Sequence, residues 1–284
     1  MLKHLAEFTI AAMARVLSVS RSGFHAWRRR AGRPAPKQQQ RVHRDALVKQ
    51  LFDKEKGRSG SPRLVLDLAE AGHVCDRKTV ADSMKRQNLR AKAARKFKAT
   101  TQSDHDLPIF DNQLKQNFSA DQPNQKWVGD ITYLWTSEGW IYLAVVIDLY
   151  SRMVVGWAMS DRMKTSLVCD ALRMALWRRG KPEGVIVHTD RGSQYCSRRY
   201  RSLLEYHALI GSMSGTGNCY DNAVAESFFH TLKVEAIHGI AFSTRQSVTQ
   251  EVFEYIEVYY NRNRRHSTNG YTSPQVFELT KKVA

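Results

Sequence analysis

Residues 140–147, WIYLAVVI, constrain the fold more than any other segment of this chain. A short, nearly all-apolar run of this kind is typical of a strand that is buried on both of its faces. Residues 127–135, WVGDITYLW, are also rich in β-branched and aromatic side chains, and the intervening Ser137-Glu138-Gly139 predicts a hairpin turn. We therefore expect an α/β fold whose central hairpin lies inside a sheet.

The remainder of this region alternates between strand and helix patterns. The predicted order from residue 126 onward is β-β-β-α-β-α-β-α, followed by a last long helix, with no internal repeat. After the hairpin, strands are predicted at residues 153–159, 185–188 and 208–212, and helices at residues 165–179, 197–207, 222–236 and 244–260.

Three acidic residues occur at structured positions in this order. Asp130 lies in the first strand, Asp190 directly follows the strand at 185–188, and Glu226 lies in the helix at 222–236. Sites in α/β sheets favour the carboxyl ends of strands, and acids brought together there repel one another unless a cation binds them. Two divalent ions about 3.5–4 Å apart would stabilise both oxygens of a displacement at phosphorus. The three acids are therefore predicted to be catalytic and to bind metal.

Each acid also has a simpler interpretation. Asp130 could be a surface acid at a strand edge, Asp190 could shape a turn with Arg191-Gly192, and Glu226 could be a solvated helix residue. The joint arrangement favours a common site. Asp221 is the nearest alternative to Glu226 as the third acid of the site, and it is better explained as a helix N-cap.

Lys233 follows Glu226 by seven residues, which is about two helical turns, so both side chains lie on one face of the helix. A cation at this position could hold the phosphate beside the scissile bond. The alternative is a lysine that extends along the surface into solvent.

Positive charge is concentrated in the first part of the chain. Residues 1–120 have a net charge of +14 out of the total of +17. Such a field attracts polyanions, of which nucleic acid is the commonest. An ordinary basic surface remains the simpler alternative.

Two helical pairs occur within this basic part. Residues 9–30 are typical of helix, turn and helix, with Ser18–Ser20 as the turn and helix cap, although an ordinary helical hairpin would have the same pattern. Residues 31–42 are a linker by composition. A second pair begins near Ser61-Pro62, and the basic run at 90–101 could be a phosphate clamp or a solvated tail. The predicted DNA contacts are Arg21, Arg28, Arg29, Arg30, Lys78, Arg95, Lys96, Lys98, Arg191 and Lys233.

The cysteine pattern and hydropathy exclude other classes. The four cysteines form neither a CxxC pair nor a zinc spacing with the ten histidines, and we expect reduced thiols in a cytoplasmic protein. No stretch approaches about 18 continuous apolar residues, and no signal-peptide core is present, so we expect no membrane span.

Several motifs together resemble one family. These are LSVSRSGFHAWRRR, GSPRLVLDL, WVGDITY, HTDRGSQYCS, GNCYDNAVAESFFHTLKVE and YYNRNRRHSTNGYTSPQVFE. Nearly the whole chain resembles transposases of the insertion-sequence-three family, specifically their OrfB catalytic part, and is thus similar to retroviral integrases and other DDE recombinases. The resemblance implies an RNase H-like catalytic core with Asp130, Asp190 and Glu226 as its metal-binding acids.

The same resemblance implies an activity and its partners. It implies DNA cleavage at the ends of an insertion sequence and strand transfer by a 3′-hydroxyl, with Mg²⁺, or Mn²⁺ as an alternative, and two ions. The DNA partners would be terminal inverted repeats and target DNA. A homo-oligomer at the paired ends, an OrfA partner or fusion, and a nucleoid-associated location in a bacterial cytoplasm are further expectations.

These inferences divide the chain into five segments. They are residues 1–35, a helix-turn-helix-like segment; 43–100, a basic helix-turn-helix-like domain; 101–125, a linker; 126–240, the RNase H-like core; and 241–284, a C-terminal helix and tail. Two other functions remain open at this point. One is a DNA-binding regulator derived from a transposase that does not cut, and the other is a plain metal-dependent nuclease.

Overall fold

The computed structural model of the chain describes residues 1–31, 35–92, 107–215 and 222–282. The chain forms two compact units, residues 1–91 and residues 92–284. Within the described residues, no helix is long and apolar enough to cross a membrane.

The first unit is helical. Its described α-helices are α1 (Ile10–Val16), α2 (Arg21–Arg30), α3 (Pro36–Lys54), α4 (Ser61–Glu70) and α5 (Arg77–Arg86). The Ser20 hydroxyl accepts a hydrogen bond from the Gly23 amide at 2.8 Å and so begins α2 as the sequence predicts. The Asp76 carboxylate caps α5 in the same way, accepting from the Thr79 amide at 2.8 Å.

Helix α3 contradicts part of the linker prediction. The segment at 31–42 is helical from Pro36 onward, because proline is well suited to the first turn of a helix and the polar residues that follow are good helix formers. Asp45 on α3 accepts hydrogen bonds from Arg86 at 2.6 Å and from Ser83 at 2.6 Å on α5. The Arg86 hydrogen bond is the main cause of the lowered pKa of Asp45. The core of this unit comprises Val48, Phe52, Leu64, Leu68, Val80 and Met84.

The second unit contains a five-stranded sheet. Its strands are β1 (Lys126–Thr136), β2 (Gly139–Asp148), β3 (Val154–Ser160), β4 (Ile186–Thr189) and β5 (Ile210–Met213). The strand order is β3-β2-β1-β4-β5. The first three strands are antiparallel neighbours, whereas β4 is parallel to both β1 and β5.

Helices cover both faces of this sheet. They are α6 (Thr165–Arg178), α7 (Ser193–Cys196), α8 (Arg198–Tyr206), α9 (Ala223–Leu232), α10 (Arg245–Phe253) and α11 (Pro274–Lys282). Helices α9 and α10 continue into the π-helical segments Lys233–Ile237 and Glu254–Tyr260.

Strand β2 is buried on both faces, as its sequence predicts. Leu143, Val145 and Ile147 join a cluster with residues of α9 and α10. Ala144 and Val146 join the opposite cluster with residues of α6 and α8. The α/β prediction is therefore confirmed.

Side chains and a loop segment cover both outer strands of the sheet. The Asn261 amide donates to the Val154 carbonyl and accepts from the Val154 amide, each at 3.0 Å, on β3. At the other edge, the Ser212 hydroxyl of β5 accepts from the backbone amides of Gln113 at 2.9 Å and Leu114 at 3.3 Å. The segment before β1 therefore lies along β5.

The predicted C-terminal tail contains a further helix, α11. Glu278 on this helix accepts a hydrogen bond from Ser151 at 2.5 Å and forms an ion pair with Arg179 at 2.5 Å. Ser151 lies in the turn between β2 and β3, and Arg179 directly follows α6, so these contacts dock α11 on the unit.

Candidate active site

Strand β1 carries the first predicted acid, Asp130. Side chains alternate between the two faces of a strand, so Asp130 shares a face with Val128 and Leu134, which pack in the α9 and α10 cluster. Its Oδ1 atom accepts a hydrogen bond from the Ile131 amide at 2.7 Å. The carboxyl group is half-buried at the border of this cluster.

The register of the parallel pair brings the second acid to the first. Lys126 of β1 pairs with Ile186 of β4, and Val128 pairs with His188. Two residues further on, the same register sets Asp130 opposite Asp190, just past the carboxyl end of β4. The Asp190 Oδ1 atom accepts from the Gly192 amide at 3.0 Å, which holds the carboxylate at the beginning of the next turn.

Burial and neighbouring anions both disfavour the charged form of Asp130. The pKa of Asp130 lies well above its usual value, first because of burial and then because of the Asp190 carboxylate. Glu226 adds a smaller effect in the same direction, while the Ile131 hydrogen bond and Lys233 act against it. The three acids therefore interact electrostatically.

Glu226 stands further out than the other two acids. It lies in the first turn of α9 and is exposed, and partial removal of water raises the pKa of its carboxyl group. Among the residues that the structure describes, no three His, Cys, Asp or Glu side chains are grouped closely enough to hold a metal ion. The structure thus brings Asp130 and Asp190 together, with Glu226 within electrostatic range rather than in a common ligand set.

Lys233 is the first residue of the π-helical segment after α9. Burial lowers the pKa of its ammonium group, and the Asp130 carboxylate opposes this shift. The Lys233 Nζ atom lies 5.2 Å from the centroid of the Tyr133 ring. Lys233 therefore lies within electrostatic range of the Asp130 carboxylate.

Two residues near Asp130, Tyr195 and Gly129, were not predicted from the sequence to belong to this site. Tyr195 on α7 is buried, and its pKa is raised well above the usual value by burial, then by Asp130, Tyr200 and Asp190. A Cβ atom at Gly129 would lie 3.3 Å from Thr189 Cγ2 and 3.7 Å from the Tyr195 hydroxyl. Because Gly129 has no side chain, Thr189 and Tyr195 pack closely against the strand residue next to Asp130.

The predicted DNA contacts are distributed over both units. Arg21, Arg28, Arg29 and Arg30 on α2 and Lys78 on α5 are exposed. Arg191 donates from Nε to the Ser214 carbonyl at 2.7 Å, so part of its guanidinium braces the end of β5. Arg95, Lys96 and Lys98 lie outside the described residues.

The chemistry of the paired carboxylates fits a hard divalent cation. Mg²⁺ binds oxygen ligands and commonly uses one or two carboxylates together with water and phosphate. Asp130 and Asp190 supply such oxygens at neighbouring positions, and their mutual repulsion is the electrostatic cost that a bound cation would remove.

This repulsion predicts that Asp130→Asn stabilises the metal-free protein. A raised folded-state pKa means that Asp130 contributes fully to stability below its unfolded pKa, and that this contribution is lost as the pH rises through the folded pKa. At neutral pH the variant should therefore melt higher, by roughly 2–4 °C for each kcal/mol recovered. The difference should vanish as the pH falls towards the usual carboxyl range.

Thermal melts of both proteins in chelator across a pH series would measure this effect. Added Mg²⁺ should raise the melting temperature of the wild type more than that of the variant. A variant that melts lower than the wild type at neutral pH would contradict the prediction.

Comparisons with known proteins point to one family. Two models, each described as an integrase core domain, match residues 120–219 and 226–280, and an HTH-like domain model matches residues 38–97. Transposase InsF for insertion sequence IS3A from Escherichia coli (strain K12) is 57% identical over 276 residues, covering 97% of this chain and 96% of that protein.

Solved structures with similar folds include viral integrases. A cryo-EM structure of the simian T-cell lymphotropic virus intasome in complex with PP2A regulatory subunit B56 gamma is 15% identical, with a TM-score of 0.48, and the match covers 81% of this chain and 74% of that one. The HTLV-2 integrase catalytic core domain in complex with magnesium (trimeric form) is also 15% identical, with a TM-score of 0.41 and coverage of 56% and 99%. On its identity to the insertion-sequence protein and its integrase core, the chain belongs to the IS3-family transposases, polynucleotidyl transferases of the DDE superfamily that act in transposition and DNA integration.

Proposed function

We propose that Asp130, Asp190 and Glu226 are the catalytic and metal-binding residues with which this transposase cleaves the ends of its element and joins a 3′-hydroxyl to target DNA. The observation that carries the proposal is the β1–β4 register, which pairs Val128 with His188, together with the electrostatic interaction of Asp130 with Asp190. The electrostatic effect of Glu226 on Asp130 supports its inclusion as the third acid.

In this mechanism, Asp130 and Asp190 would hold the divalent ions, and Glu226 would supply the third carboxylate. Two Mg²⁺ ions, when bound, stabilise the attacking and leaving oxygens of the displacement at phosphorus. The Lys233 ammonium holds a non-bridging oxygen of the phosphate that lies beside Asp130. Tyr195 and Thr189 pack against Gly129 and limit the movement of the strand that carries Asp130.

The remaining partners follow from the reaction. The exposed arginines of α2 and Lys78 of α5 bind the phosphates of the terminal inverted repeats. Strand transfer in transposition brings two element ends together, so the chain acts as a homo-oligomer that holds both ends. An OrfA product, as a partner or a fusion, contributes to end recognition, and the complex acts on DNA in the bacterial nucleoid.

A strand-joining assay in defined metal ions tests this function. The full chain, with and without an OrfA partner, is incubated with a labelled element-end duplex and a target plasmid. Joined product is expected in Mg²⁺ or Mn²⁺ and none in chelator, because the carboxylates alone do not supply the charge stabilisation.

The assay also separates the proposal from other functions. Cleavage without any joined product would identify a nuclease, and end binding without either product in any metal ion would identify a non-catalytic regulator. Joined product formed in chelator would contradict the metal-dependent mechanism.

A further inference from the structure

Three aromatic side chains lie exposed on the β1–β2 hairpin. They are Tyr133, Trp135 and Trp140, called the aromatic patch below, and their exposed fractions are 44%, 58% and 44%. Large aromatic side chains usually bury most of their surface. An exposed group of three on the rigid strands of a sheet therefore indicates a binding surface.

The strand register assembles the aromatic patch on one face. Tyr133 and Trp135 are two residues apart on β1, and Trp140 on β2 pairs directly with Trp135. The Trp135 and Trp140 rings lie 4.7 Å apart at 72°, and the Tyr133 and Trp140 rings lie 5.0 Å apart at 86°. In these edge-to-face contacts, the rings hold one another in place while the patch remains open to solvent.

Lys233 connects the aromatic patch with the acidic site. Asp130 and Tyr133 are three residues apart on β1, so their side chains leave opposite faces of the sheet, and the β1–β4 pairing ends at Val128, before Asp130. Lys233 lies over the Tyr133 ring at 5.2 Å and also interacts electrostatically with Asp130. A phosphate held by Lys233 would therefore place its own nucleotide next to the aromatic patch.

A second cation lies on the other side of the hairpin. The Arg245 side chain donates from Nε to the Trp140 carbonyl at 3.1 Å, and its backbone amide donates to Glu138 at 2.8 Å. Lys233 and Arg245 thus both lie at the hairpin that carries the aromatic rings. Exposed aromatic rings together with cations are the combination that binds unpaired nucleotides, in which bases stack on rings and phosphates contact the cations.

We propose that the aromatic patch binds one unpaired base of the DNA end, beside the phosphate that reacts at Asp130. This inference rests on the proposed function, because it takes the reacting phosphate to lie between Asp130 and Lys233. Removing a base from the duplex costs stacking and pairing energy, and stacking on Trp135 or Trp140 offsets that cost. The aromatic patch thereby holds the end open for strand joining.

Trp135 variants and two DNA ends test the proposal. Trp135→Ala should slow joining of a fully paired end about tenfold, since one base stacked on an aromatic ring contributes roughly that factor. The same substitution should slow joining much less when the terminal base pair of the end is already mismatched, because that base leaves the duplex more easily. Trp135→Phe should keep most of the wild-type rate on both ends.

Two controls exclude simpler explanations. Trp177→Ala removes a tryptophan that is 81% exposed on α6, and it should change neither rate. Trp135→Leu retains apolar cover over Trp140 without an aromatic ring and should behave like Trp135→Ala. The stacking role is overturned if Trp135→Leu joins paired ends at the wild-type rate. It is also overturned if Trp135→Ala slows the joining of paired and mismatched ends equally.

A binding measurement separates this inference from the catalytic proposal. DNA ends carrying 5-iodouracil at the terminal position are crosslinked by light to the full-length Asp190→Asn protein. Crosslinks mapped to Trp135 or Trp140 would support stacking even if the assignment of the acids failed. Crosslinks found only elsewhere would overturn the proposal. A Trp135→Ala variant that joins normally but changes its oligomeric state would show that the surface binds protein instead, and this result would also overturn the proposal.

Discussion

Asp190→Asn is expected to abolish strand joining while DNA-end binding is retained. The substitution keeps the shape of the side chain and its hydrogen bond from Gly192 but removes the charge that a metal ion needs. A loss of about 4 kcal/mol of charge stabilisation corresponds to roughly a thousandfold in rate. The measurement is the initial rate of joining in Mg²⁺, together with the affinity for the element-end duplex.

Asp170→Asn provides the matched control. Asp170 is an exposed acid on α6 that pairs with Arg173 at 2.8 Å, and a surface pair of this kind contributes little to stability. This variant should join at the wild-type rate. A similar rate for Asp190→Asn would show that Asp190 is not a catalytic residue.

Arg264→Met should cause the largest loss of stability. Arg264 and Glu235 are both buried, at 9% and 6% exposure, and the Arg264 Nε and Nη2 atoms each lie 2.9 Å from a Glu235 oxygen. Removing one partner leaves a buried charge uncompensated, which costs about 3–5 kcal/mol. The Tyr255 hydroxyl, which donates to Glu235 at 2.8 Å, remains as its partner.

Urea unfolding followed by tryptophan fluorescence measures this effect, because five of the six tryptophans lie in residues 92–284. The control is Arg173→Met, which removes an exposed pair with Asp170 at 2.8 Å in the same unit and should cost less than about 1 kcal/mol. The double variant Glu235→Gln, Arg264→Met should recover part of the loss. If Arg264→Met unfolds at the wild-type urea concentration, the buried pair does not stabilise the unit.

The buried pair also bears on the site. Glu235 lies in the π-helical segment that begins at Lys233, and this segment continues the helix that carries Glu226. The YYNRNRRH motif, which contains Arg264, therefore anchors a helix of the site through a contact within the core. We expect Arg264→Met to slow strand joining as well as to lower stability.

Local sequence patterns predicted the hairpin well. Strands β1 and β2 were predictable because continuous apolar and β-branched runs of this length have few other structures open to them. The position of Asp190 directly after a short buried strand was also predictable, because a short apolar run of this kind is typical of a buried strand. The position of Glu226 relative to the other acids depends on how α9 packs, and spacing along the chain does not determine it.

The structure departs from the sequence prediction where tertiary contacts decide. The composition of residues 36–42 predicts a linker, yet these residues form the first turns of α3. The same helix buries Val48 and Phe52 further along. Helix α11 docks through Glu278 and Arg179, residues 99 positions apart in sequence. Tyr195 approaches Asp130 and Asp190 because α7 turns back after β4, and no spacing rule gives that proximity.

The coverage of the two outer strands has a consequence for solution behaviour. Unpaired strand edges recruit strands from other molecules and start aggregation. In this sheet the Asn261 amide occupies both main-chain groups of Val154, and the chain before β1 lies against Ser212. At Val154, β3 is thus protected from edge-to-edge pairing with a strand of another molecule, which would lead to aggregation.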